Sequence, residues 1–68
     1  MEFKQFQKQI HQKGFLIVCL NDYKLKGDYY TFIAVQDKKG RGFHAEGKSA
    51  NFSKIYQGII VKMNRLYV

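Results

Sequence analysis

The chain has to fold without staples. Of its 68 residues only Cys19 is a cysteine and only His11 and His44 are histidines, so no intrachain disulfide can close and no zinc-type ligand set can assemble. Burial in a domain this small narrowly offsets the entropy of ordering the backbone. One hydrophobic core and no second unit are therefore expected, with a second subunit as the remaining source of stability. Cys19 sits in the apolar run Phe15-Leu16-Ile17-Val18-Cys19-Leu20, where a cysteine is expected to be a small buried hydrophobe. The run is too short to span a bilayer, and nothing before it has the pattern of a signal peptide. A reducing, cytoplasmic setting without a membrane is the expectation, and no cofactor or metal is expected.

Periodicity divides the chain. Phe3, Phe6 and Ile10 recur at spacings of three and four among Lys4, Gln5, Lys8, Gln9 and Gln12, which predicts an amphipathic helix over roughly residues 2–13. Glu2 suits its positive end, Lys13 its negative end, and Gly14 is placed to leave it in a left-handed conformation. Phe15 to Leu20 predicts a buried strand. Asn21 to Asp28 reads as a polar connection, Tyr29 to Gln36 as the second strand and about Arg41 to Glu46 as the third. Between these last two, Asp37-Lys38-Lys39-Gly40 fits a type I turn with a bulge glycine. The resulting register pairs Val35 with Phe43 and Ile33 with Ala45 on the face that meets the helices.

The last segment carries two signals. Phe52, Ile55, Tyr56, Ile59, Ile60 and Met63, continued by Leu66 and Tyr67, keep helical spacing, and Ser49 or Asn51 is placed to cap the start. Gly58 and the β-branched run Ile59-Ile60-Val61 favour one or two strands instead. Pattern over about fifteen residues outweighs local propensity, so a helix is expected. The fold class is then α+β in the order α-β-β-β-α, a three-stranded antiparallel sheet with both helices on one face.

This order resembles the double-stranded-RNA-binding domain across nearly the whole chain. Glu46-Gly47-Lys48-Ser49 followed by Lys54 is similar to that family's Gly-x-Ser turn into a basic helix start. Two adjacent lysines follow the serine in the family, where this chain has Ala50 and Asn51. The resemblance implies that the first loop and the start of the second helix bracket a duplex backbone. Lys13-Gly14-Phe15 and the following strand more distantly resemble the HicA type of messenger-RNA-cleaving toxin. That family uses a histidine early in its second strand, and Gly27-Asp28-Tyr29-Tyr30 holds none, so its activity is not carried over.

Charge narrows the class of partner. Twelve Lys and Arg against five Asp and Glu give +7, a field that attracts nucleic-acid phosphates or an acidic protein. The cations group around turns: Lys24 and Lys26 in the first connection, Lys38, Lys39 and Arg41 at the hairpin, Lys48 and Lys54 about the second helix start. They are the candidate nucleic-acid contacts, RNA or DNA. The five carboxylates are scattered along the chain, without the pairing that acid–base work needs. His44, on a strand face shared with Glu46, is the single general-base candidate, and no enzyme is expected.

Tyr30, Phe32, Ala34 and His44 should point away from the helices, an apolar surface where an antiparallel sheet usually meets water. Tyr30, Phe32 and His44 are accordingly the candidate interface, for unpaired bases, a homodimer or another protein. Non-enzymatic binding of nucleic acid through its backbone is the first expectation. A small inhibitor or modulator of another protein is the second, and a HicA-like toxin the third.

Overall fold

A computed structural model describes residues 1–66. It contains α1 (Phe3–Gln12), β1 (Phe15–Leu25), β2 (Asp28–Asp37), β3 (Gly42–Lys48), a 3₁₀ turn at Ser49–Asn51 and α2 (Phe52–Leu66). The three strands form one antiparallel sheet in the order β1-β2-β3. Among the described residues, no helix is long and apolar enough to cross a membrane.

The start of α1 is fixed by Glu2, whose backbone N–H donates to the Gln5 side chain at 3.1 Å. It ends where expected: Gly14 takes a φ of 83° and its N–H donates to the His11 carbonyl at 3.0 Å, satisfying a terminal helical acceptor. One buried cluster joins Phe6 and Ile10 of α1 to Ile55, Tyr56, Ile59 and Met63 of α2, and both groups to Phe15, Ile33 and Val35. Ile33 and Val35 share one face of β2 because side chains alternate along a strand. The helices therefore cover that face, and the Phe6 and Tyr56 rings stack between them at 4.6 Å.

Two expectations about β1 are corrected. Asn21 to Asp28 is not a loop: β1 continues to Leu25, and Lys26-Gly27 alone makes the turn, at φ 52° and 87°. Positive φ at both positions is the hairpin geometry that matches strand twist. This half of the hairpin is held by polar and aromatic cross-strand pairs. Tyr23 stacks on Tyr30 at 5.6 Å, Thr31 donates to Asp22 at 2.7 Å, and Lys24 lies 5.6 Å over the Tyr29 ring. A strand built this way shows no apolar run.

Nor is Phe15–Leu20 a buried strand. Phe15 is buried and Ile17 half-buried, whereas Leu16, Val18, Cys19 and Leu20 are exposed. β1 lies at the sheet edge, and the register slips between Ile17 and Cys19. Without that bulge Cys19 would follow Phe15 and Ile17 inward. With it, Cys19 pairs with Ala34 on the other face, and Leu20 takes the place opposite Ile33.

The β2–β3 turn and the pairs Val35–Phe43 and Ile33–Ala45 form as the residues predict. Gly40 has a φ of 84°. The Asp37 carboxylate accepts from the Lys39 N–H at 3.0 Å, the Arg41 N–H at 2.9 Å and Arg41 Nε at 2.8 Å. The last segment is the helix α2. Gly58 faces Ala45 of β3, where a Cβ would find the Ala45 Cβ at 4.0 Å, so the residue that weakens the helix lies where helix and strand approach closely. Phe52 is 45% exposed but lies against Tyr56 at 5.6 Å. The Leu66 side chain and Tyr67, expected to extend the stripe, lie outside the described residues. Ser49 is not a cap through its side chain. Thr31 donates its hydroxyl proton to Asp22, so the 2.7 Å contact between Thr31 and Ser49 has Ser49 as donor.

Candidate nucleic-acid interface

The strand register separates the candidate cations into two groups. Lys24 and Lys26 belong to the β1–β2 tip, and Lys48 joins them because it pairs with Tyr30 near the start of β2. Lys54 is in the first turn of α2, at the same end. A groove of about 360 Å³ between β3 and α2 is lined there by Glu46, Lys48, Asn51 and Lys54, among others. Lys38, Lys39 and Arg41 occupy the β2–β3 turn at the opposite end of β2. Ten residues of strand at about 3.3 Å each place the two groups roughly 30 Å apart.

Their electrostatic surroundings differ. At the β1–β2 end Asp22, Asp28 and Glu46 accompany the lysines, and Asp28 lies 3.8 Å from Lys48. Glu2 belongs to this end too, since the N-terminal amine donates to Ser53 at the start of α2 at 2.8 Å. At the β2–β3 end the turn cations gain Lys13, because Phe15 pairs with Asp37. They also gain Lys62, whose Nζ donates to the His44 carbonyl at 2.7 Å, and Arg65, one turn further along α2. Among the described residues Asp37 is the sole carboxylate here, and Arg41 binds it at 2.8 Å. Lys4 and Lys8 lie along the exposed side of α1. The excess positive charge therefore sits at the β2–β3 end and along α1, while the β1–β2 end is close to balanced. Residue spacing brought the α2 entrance forward as a site; its neutralisation by Asp22, Asp28 and Glu46 depends on the extended hairpin.

The outer face of the sheet carries Tyr30, Phe32, Ala34 and His44, opposite in alternation to Ile33 and Val35. Phe32 and His44 stack diagonally at 5.6 Å with 26° between their planes. Tyr23, read as loop from the sequence, joins this face because it pairs with Tyr30 of β2. Its hydroxyl donates to Glu46 at 3.1 Å, and its pKa is raised, first by desolvation and then by the bond to Glu46 and that group's charge. His44 and Glu46 share the face as expected, yet one stacks on Phe32 and the other accepts from Tyr23, so the carboxylate does not orient the imidazole. Among the described residues, no three His, Cys, Asp or Glu side chains gather as a metal site would need.

Beside the Phe32–His44 pair lies a shallow hollow of about 260 Å³, walled by Val18, Phe32, Gln36 and His44 and floored by Ala34 and Gly42. A larger, mostly apolar cleft of about 440 Å³ runs past the α1–β1 junction, among His11, Leu16, Val18 and Lys38. Comparison with protein-family models, curated proteins and solved structures finds no match to this chain.

Proposed function

We propose that this protein is a non-enzymatic nucleic-acid-binding domain that holds a phosphate backbone against its β2–β3 end, in a reducing, cytoplasmic setting. The observation that carries the reading is the division of charge: Lys13, Lys38, Lys39, Arg41, Lys62 and Arg65 gather with Asp37 as their only carboxylate among the described residues. Phosphates brought to that end displace counterions and are positioned without their bases being read. The α-β-β-β-α order accords with the resemblance to the double-stranded-RNA-binding domain. In that family the bracketing elements are the first loop and the second helix start, which here lie at the balanced end, so the proposal does not carry over duplex specificity.

The test is a binding titration of a labelled oligonucleotide against salt. Contact with about four phosphates gives a slope of log affinity on log salt near −3. Lys38→Glu with Lys39→Glu should weaken binding to every sequence and flatten the slope, and Lys48→Glu with Lys54→Glu should do less. Equal losses would mean diffuse attraction, and absence of binding at about 50 mM salt would overturn the reading. One observation favours a second reading, a modulator that docks on another protein. The exposed Leu16 and Val18 continue the aromatic face as an apolar surface of the kind that protein partners cover.

A further inference from the structure

We infer that the hollow beside Phe32 and His44 receives one unpaired nucleobase, so that the bound nucleic acid is single-stranded. The inference rests on the nucleic-acid reading above and adds the class of ligand and a second point of contact.

Three observations converge on the hollow. Its floor is made of the two smallest side chains on the outer face, Ala34 and Gly42. Gly42 is held to that size, because a Cβ there would lie 2.8 Å from the Val35 carbonyl oxygen. Its wall is an aromatic pair already parallel to within 26°, the arrangement on which a planar heterocycle stacks. At about 260 Å³ the space would hold about nine waters or one such ring. Finally, the hollow opens at the basic end: Gly42 follows Arg41 directly, and Gln36 on its rim donates to the Gly40 carbonyl of the turn at 3.2 Å. A phosphate at Lys38, Lys39 or Arg41 therefore has its base within reach of the hollow. Bases inside a duplex present only their edges and cannot lie flat on this face. Glu46, beyond Phe32, opposes a backbone on that side and confines the contact to the half of the face nearest the turn.

The probes are a twelve-thymidine strand, an abasic strand of equal length and charge, and the thymidine strand annealed to its complement. The thymidine strand should bind about tenfold more tightly than the abasic one, and more tightly than the duplex. His44→Ala and Phe32→Ala should each abolish that preference and leave abasic affinity unchanged. His44 is exposed, so its variant carries the test even where Phe32→Ala disturbs folding. Glu46→Gln should strengthen binding of all three probes. Equal binding of thymidine and abasic strands, a preference for duplex, or a preference retained in His44→Ala would overturn the inference and leave the proposed function standing. Failure of every probe to bind would remove the proposed function itself. Sedimentation as a dimer that Phe32→Ala dissociates would assign the face to a second copy and overturn the inference.

Discussion

Gly58→Ala should stabilise the protein, although it alters a half-buried position in contact with the sheet. Glycine in a helix interior costs about 0.8–1.0 kcal/mol relative to alanine, chiefly through the freedom of the unfolded chain. Whether that gain is realised depends on space. A Cβ built on Gly58 meets nothing closer than the Ala45 Cβ at 4.0 Å, an ordinary contact that adds apolar burial. The net gain is therefore about 1 kcal/mol, which for a domain of this size raises Tm by about 4–8 °C. Thermal unfolding followed by far-ultraviolet circular dichroism measures it. Nucleic-acid affinity should not change, because the residue lies in the groove near Lys48 and Lys54, away from the basic end. An unchanged or lower Tm would refute the packing of α2 against β3 described above.

Gly42→Ala should do the opposite: the new Cβ meets the Val35 carbonyl oxygen at 2.8 Å, and the forced shift should cost about 1–3 kcal/mol, seen as a fall in Tm. Phe6→Ala removes a fully buried ring and should cost about 3–5 kcal/mol, a large share of the roughly 3–10 kcal/mol available to a chain this long, and should lower Tm by at least about 12 °C. Cys19 is exposed and should react with a thiol reagent in native buffer as fast as in denaturant. Desolvation works against ionisation of Asp37, but the N–H groups of Arg41 and Lys39 and the Arg41 guanidinium outweigh it and lower its pKa. Its stabilisation is then present above the unfolded value of about 3.9 and lost as pH falls through the folded one. The Tm of Asp37→Asn should thus lie below wild type near neutrality and converge with it in acid.

The elements whose register or cap is fixed by a local rule were readable directly. Glycine after an amphipathic stretch closed α1, and Asp-Lys-Lys-Gly fixed the β2–β3 turn and with it the pairing of Ile33 and Val35. Residues 21–25 were not readable as strand, because their stabilisation comes from partners on β2: Tyr30 for Tyr23, Thr31 for Asp22, Tyr29 for Lys24. A polar strand and a polar loop look alike until the partner is known. The bulge at Val18 leaves no mark in composition, yet it turns Cys19 outward. For the candidate site, the identity of the cations was legible and their grouping was not, since the distance between Lys48 and Lys38 is set by the length of the hairpin. The outward aromatics Tyr30, Phe32 and His44 followed from alternation alone once the turn was placed.

The separation of charge along the molecule has a kinetic consequence. The longest dimension is 38 Å, whereas the Debye length at physiological ionic strength is about 8 Å. A polyanion near the β2–β3 end therefore feels Lys38, Lys39 and Arg41 and is screened from Asp22 and Asp28. The protein carries a directional field as well as a net charge, and in an encounter with a polyanion it is turned end-on before contact. Fewer collisions are lost to wrong orientations, which raises the association rate above that of an evenly charged domain of the same +7. Salt should erode this advantage in the on-rate while leaving the dissociation rate, set by short-range contacts, much less affected.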